Sequence, residues 1–221
     1  VRSFAGLTDR DYDYAETVLQ QFIKYSGRPV FAMETATVHP LQAFADLITI
    51  HESWKRTAGN GSAIARPKVV LTWAPHCRAL PQAVPNSFAQ WMLADENIDL
   101  VITHPEGYEL DPQFVRGARV EYDQRKAFEG ADFIYAKNWS NPGVTCPADY
   151  GKITCEDRSW TVDTEHMSWT NGAKFMHCLP VRRNLIVTDD VIESPDSLVI
   201  PEAANREISC SVVLKRMLES L

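Results

Sequence analysis

Ten consecutive residues, Phe175 to Asn184, place a histidine and a cysteine directly before a Leu-Pro step and two arginines directly after it (F-M-H-C-L-P-V-R-R-N). Histidine beside a thiol can serve as base and nucleophile, as a pair of metal ligands, or as neutral hydrogen-bonding groups. Arg182 and Arg183 suit a carboxylate or phosphate, which the guanidinium fork grips in bidentate fashion. A second cluster, His39-Pro40-Leu41-Gln42, opens an apolar-periodic segment. Proline suits a first helical turn, and a helix N-terminus aims His39 and Gln42 at an anion or a polarised carbonyl. Taken singly, each cluster also has an ordinary reading: His39 as a helix cap, His177-Cys178 as a strand end with a solvated basic turn. A zinc site from His76, Cys77, His177 and Cys178 lacks the usual ligand spacing, and adjacent ligands on a strand point apart.

These groups need elements to carry them. Short apolar runs alternating with helix-period segments predict strands over Lys68–Trp73, Asp99–Thr103, Asp132–Lys137, Ala173–Met176 and Ser197–Ile200, and an earlier one over Pro29–Met33. Helices are expected over Glu16–Tyr25 (Val18, Leu19, Phe22 and Ile23 at helical spacing), from His39 to about Trp54, over Ala83–Ala94, Pro112–Gly117, Tyr122–Glu129 and Asp163–Thr170. A closing helix over Glu202–Leu218 turns Ile208, Val212, Val213 and Met217 inward. Lys55–Arg66, rich in Gly, Ser and Ala, reads as a loop between two lobes, and Pro142–Tyr150 as a lid. The fold class is therefore α/β: a Rossmann-like, mostly parallel sheet flanked by helices, plus the end of a second α/β domain. In such a sheet the strand C-termini share one edge. Glu34, His76 with Arg78, Lys137, and His177 through Arg183 all fall at strand ends, Arg206 follows the last strand and Arg2 closes the first. A local excess of cations in a chain of net charge −7 predicts a small anionic ligand bearing phosphate and carboxylate groups.

The bulk numbers exclude several classes. At 221 residues, 45% hydrophobic and 23% charged, the chain is an ordinary globular protein of one domain or one and a half. Its acidity argues against a nucleic-acid or anionic-membrane partner. No apolar run is long enough to span a bilayer and no signal peptide is visible. Five scattered cysteines without C-x-x-C spacing read as free thiols of a reducing, cytoplasmic compartment. No G-x-G-x-x-G follows a strand and no P-loop is present, so nucleotide cofactors have no support. No cofactor is expected. Val1 stands where a Met is usual, and Val1-Arg2-Ser3-Phe4 reads as a strand end, so a truncated product is expected.

The order H-P-x-Q, then H-C-L-P about 140 residues on, resembles the aspartate/ornithine carbamoyltransferase family along the whole chain. Cys178, where the aspartate-type enzymes have a second proline, is similar to the ornithine type. The D-G-x-x-N and S-M-G segments of the ornithine enzymes are absent. Trp73-Ala74-Pro75-His76-Cys77-Arg78 and Tyr135-Ala136-Lys137-Asn138-Trp139 stand in their places and resemble the acylornithine branch. Ile186, where acetyl-specific members carry a modified lysine, and the extra cation Arg78 resemble its succinyl type. The resemblance implies that carbamoyl phosphate and N-succinylornithine are the reactants, in arginine biosynthesis. It implies that Arg2, His39, Gln42, Cys178, Leu179 and Arg206 bind carbamoyl phosphate, with His39, Gln42, Cys178 and Arg206 catalytic. Glu34, His76, Arg78, Lys137 and Arg182 would hold the acylornithine. It further implies a homotrimer, with 1–54 ending the carbamoyl-phosphate domain and 55–221 forming the acylornithine domain, the closing helix (about 202–221) packing back on the first. The family's S-x-R-T phosphate loop is missing, because Ser53-Trp54-Lys55-Arg56-Thr57 has one residue too many. Two other readings stand beside this one: an inactive fragment that only binds an anionic amino acid or an oligomer partner, and a thiol hydrolase built on the His-Cys pair.

Overall fold

The computed structural model of the chain describes residues 1–58 and 66–220. Its helices are α1 (Arg10–Tyr14), α2 (Thr17–Tyr25), α3 (Pro40–Ala58), α4 (Ala83–Ala94), α5 (Pro112–Val115), α6 (Gln124–Phe128), α7 (Thr164–Ser168), α8 (Asp189–Ile192) and α9 (Val199–Glu219). The strands are β1 (Lys68–Trp73), β2 (Asp99–Thr103), β3 (Arg119–Glu121), β4 (Phe133–Lys137) and β5 (Lys174–Met176). They form one sheet in the order β3-β2-β1-β4-β5, every neighbouring pair parallel.

Both faces of the sheet are covered, which is why its strands read as unbroken apolar runs. On β1, Val69, Leu71 and Trp73 enter one apolar layer while Val70 enters the other. On β4, Phe133 and Tyr135 alternate in the same way with Ile134 and Ala136. The first layer is closed by Phe88 and Met92 of α4, the second by Phe128, Ile186, Val187 and Val191. Asp111, Asp123 and Asp163 cap α5, α6 and α7, each accepting a hydrogen bond from a first-turn amide, the usual cure for unpaired helix N–H groups.

Several expectations are corrected. Pro29–Met33 is not a strand: that stretch has residues 1–3 alongside it, joined by the Met33 N–H to Val1 carbonyl bond of 2.8 Å and an isolated Arg2–Glu34 bridge. Ser197 makes a lone bridge to Phe175, and the segment after it is already α9. The stretch expected to open a helix at Tyr122 instead follows the short edge strand β3, whose three residues carry no alternation long enough to read. In α2, Val18, Phe22 and Ile23, which fall at helical spacing, are exposed. In α9 the fully buried stripe is largely polar: Glu202, Asn205 and Ser209 are buried, whereas of the expected inward residues Val213 and Met217 are half-buried and Ile208 and Val212 are 47% and 42% exposed. The reason is the partner. α9 lies along α3, whose facing residues Asp46 and Thr49 are themselves buried and polar, and Asn205 Nδ2 donates to Thr49 Oγ1 at 2.9 Å. Of the expected Lys55–Arg66 loop, α3 continues to Ala58 and 59–65 lie outside the described residues. The expected lid is fastened down: Arg10 Nε donates to the Pro142 carbonyl at 2.9 Å and the Tyr150 hydroxyl to Asp13 Oδ2 at 2.8 Å.

Candidate functional site

In an open parallel sheet the ligand crevice lies at the strand C-termini where the order reverses, here between β1 and β4. An open cavity of about 300 Å³ lies beside that point. Eight of the eleven residues singled out in the sequence line it: Arg2, Glu34, His39, Gln42, Lys137, Cys178, Leu179 and Arg206. Phe4, Met33, Val84 and Pro180 complete the wall. His76, Arg78 and Arg182 do not line it but flank it, since the charges of Lys137, Arg182 and Arg78 all act on His76. Arg78 and Arg182 are exposed, and among the described residues no ion pair engages Arg78, Lys137 or Arg182.

Each wall residue is placed by its element. His39 precedes α3, its backbone N–H donating to Ser87 Oγ at 2.7 Å and its Nε2 lying 3.5 Å from Glu34 Oε2. Glu34 also pairs with Arg2 at 3.1 Å. Burial and the charges of Arg206, Arg2 and Lys137 bring the His39 pKa down to about 3, so at neutral pH the ring is an uncharged hydrogen-bonding group. Gln42, buried one turn into α3, donates from Nε2 to Asp46 Oδ1 at 2.7 Å, and its Oε1 accepts from Arg206 Nη1.

Beyond β5 the chain turns sharply. His177 is fully buried, its Nδ1 accepts the Leu179 N–H at 2.9 Å, and burial with the nearby Lys137 keeps the ring neutral. Leu179 takes a left-handed conformation (φ 44°) ahead of a cis bond to Pro180, a conformation few non-glycine residues adopt. Burial pushes the Cys178 thiol pKa up. A thiol held protonated is a weak nucleophile, which counts against the hydrolase reading. Among the described residues no three His, Cys, Asp or Glu side chains cluster as metal ligands.

The layer beneath the cavity is one that the motifs do not reveal. Asp46, Tyr135 and Glu202 are buried there, with Glu202 Oε2 accepting the His177 N–H at 3.0 Å. The available signal was spacing: Gln42 with Asp46 and Glu202 with Arg206 are i, i+4 pairs, so each shares a helix face. Ile186, in contrast, is part of the apolar layer, its N–H donating to the Arg182 carbonyl at 2.9 Å.

A doubly wound α/β sheet with a cationic, polar cavity at its strand tips is the arrangement in which open α/β folds place their ligands. The family described as aspartate/ornithine carbamoyltransferase, Asp/Orn binding domain, matches residues 82–217, and the chain belongs to it. It is 69% identical over all 221 residues to the N-succinylornithine carbamoyltransferase of Bacteroides thetaiotaomicron, and 67% identical to that of Bacteroides fragilis. It spans 66% of the length of each. It is 37% identical over 93% of its length to the N-acetylornithine carbamoyltransferase of Xylella fastidiosa, covering 63% of that protein. Among solved structures, acetylornithine transcarbamylase complexed with acetylcitrulline superposes with a TM-score of 0.86 at 30% identity, over 98% of this chain and 67% of that one. A point mutant of N-acetyl-L-ornithine transcarbamylase, complexed with carbamyl phosphate and N-succinyl-L-norvaline, gives 0.84 at 31% identity, with the same coverage of both chains.

Proposed function

We propose that the protein transfers a carbamoyl group from carbamoyl phosphate to the δ-amine of N-succinylornithine, giving N-succinylcitrulline and phosphate. The observation that carries this is the meeting of both motifs, H-P-x-Q and H-C-L-P, on one cationic cavity in a chain 69% identical to an enzyme of that name. The δ-amine attacks uncharged, the carbamoyl carbonyl gathers negative charge, and phosphate leaves. Positioning and electrostatic stabilisation therefore suffice. Arg2 and Arg206 face the developing phosphate charge. Neutral His39 donates to the carbonyl oxygen without a proton changing hands. Gln42 Oε1, the Cys178 thiol and the Leu179 carbonyl orient the carbamoyl amide.

Charge supports the choice of acceptor. N-succinylornithine carries two carboxylates, N-acetylornithine one, and free ornithine adds an α-ammonium. Arg78, Lys137 and Arg182, three cations without ion pairs among the described residues, suit the dianion best. We assign Glu34, His76, Arg78, Lys137 and Arg182 to the acylornithine, residues 1–54 to the end of the carbamoyl-phosphate domain and 55–221 to the acceptor domain. By family resemblance the working form is a cytoplasmic homotrimer. Among the described residues no helix is long and apolar enough to cross a membrane.

A colorimetric citrulline assay with three acceptors tests the reading. Succinylornithine is expected to turn over fastest, and a preference for free ornithine would refute the acceptor assignment. The 66% span of the relatives supports a second reading, in which this chain binds the anionic acceptor without turning it over. Calorimetric binding of N-succinylornithine with no product formed distinguishes it.

A further inference from the structure

The layer under the cavity holds two carboxyl side chains, Asp46 of α3 and Glu202 of α9, both 0% exposed. Two acidic groups buried together with no cation between them are costly unless something is gained. They meet at one atom. Gln42 Nε2 lies 2.7 Å from Asp46 Oδ1 and 3.4 Å from Glu202 Oε1. On the other side of the amide, Gln42 Oε1 accepts from Arg206. Turning the amide over would set its oxygen against the carboxyl pair and its NH₂ against a guanidinium, two repulsive contacts in place of two attractive ones. The second Glu202 oxygen accepts the His177 N–H at 3.0 Å, so the same side chain ties α9 to the tip of β5 that carries Cys178 and Leu179.

We infer that Asp46 and Glu202 are positioning residues: a buried carboxyl pair that fixes the Gln42 amide with its oxygen toward the cavity and docks the His177–Leu179 turn beside it. The inference rests on the carbamoyl-transfer reading only for why the direction matters, namely that an oxygen can accept from a carbamoyl NH₂ and an amide nitrogen cannot. Burial raises the pKa of both groups, and the neighbouring Asp46 charge raises that of Glu202 further.

The pattern of isosteric variants follows. Glu202→Gln keeps an acceptor for the His177 N–H and removes one of the two buried acidic groups, and should bind carbamoyl phosphate within about threefold of wild type. Asp46→Asn sets NH₂ against NH₂, and should weaken binding by about tenfold or more. In a Gln42→Ala background the same Asp46→Asn change should cost less than about twofold, because the group it positions is gone. Should Asp46→Asn not fold, Asp46→Ala, which deletes the acceptor without adding a donor, takes its place. Calorimetry with carbamoyl phosphate measures each, with melting curves as the folding control. Full additivity of the Asp46 and Gln42 changes, or equal damage from Glu202→Gln and Asp46→Asn, overturns the inference. If wild type binds no carbamoyl phosphate, the proposed function fails. The positioning claim is then decided without it, by a shift of the Gln42 side-chain NH₂ resonances in Asp46→Asn; absence of that shift overturns it.

Discussion

His39 shows how a site is tuned by what surrounds one side chain. Burial and three nearby cations bring its pKa down to about 3, against 6.5 for the free side chain. The unfolded chain protonates this residue below about pH 6.5 whereas the folded chain does not until about 3. The unfolded state therefore binds more protons across that window, and stability is lost as pH falls through it. His39→Gln should flatten the acid limb of a Tm-against-pH curve between those limits, and an unchanged limb would contradict the assignment. Cys178 makes a second residue-scale prediction. Its thiol is protonated and neighbours hydrogen-bonding groups, so serine can replace it in an orienting role. Cys178→Ser should keep activity within about tenfold, the worth of one neutral hydrogen bond. Complete loss with unaltered folding would argue for covalent chemistry. Arg78→Ala should lower kcat/KM for N-succinylornithine by about 10- to 100-fold, the worth of a charged hydrogen bond, and that for N-acetylornithine by less. Equal losses in the two steady-state series would remove Arg78 from the succinyl end.

Among the elements, the 142–150 segment and the α3–α9 pair behave differently from their sequence patterns. Pro and Gly content suggests a mobile lid, yet Arg10, Asp13 and Tyr150 fasten the segment to the N-terminal region. Gly151 completes the seal. At φ +73° a Cβ there would lie 2.2 Å from the Leu7 carbonyl oxygen. Gly151→Ala should cost about 2 kcal/mol or more from strain and clash, read as a fall of roughly 5 °C in Tm. A neutral substitution would show that this contact is not closed in solution. For α9, periodicity located the helix but only Val213 and Met217 of its expected inward residues are half-buried, Ile208 and Val212 being exposed. The polar stripe Glu202–Asn205–Ser209 is buried because α3 offers Asp46 and Thr49 to it, and no property of α9 alone carries that information. The apolar edge of α9 instead borders a groove with Val30, Phe31 and Leu41.

Over the whole molecule, charge is segregated. A chain of net charge −7 gathers Arg2, Lys137 and Arg206 around one cavity, with Arg78 and Arg182 at its rim. Such an arrangement focuses an attractive field on small anions while repelling polyanions from the rest of the surface. Affinity for carbamoyl phosphate should fall as ionic strength rises from about 10 mM to 150 mM, where the screening length shortens from about 30 to 8 Å. A titration series that shows no salt dependence would mean the cations are already neutralised.

Residue types alone indicated the class of ligand, not the reaction. The cations at the strand ends pointed to a small anionic ligand, while the roles of His39, Gln42 and Cys178 were implied only by the resemblance of two motifs to a family; β1, β2 and β4 were legible because strands buried on both faces must be apolar throughout. What remained for the tertiary structure was everything that depends on distant neighbours. Asp46 and Glu202 are far apart in the chain and become a pair only when α9 returns along α3. Arg2 and Glu34 meet across a single bridge instead of a strand. Pattern in sequence reports the environment each residue prefers, while the partner that supplies that environment is chosen by packing, where polar groups excluded from water must find one another.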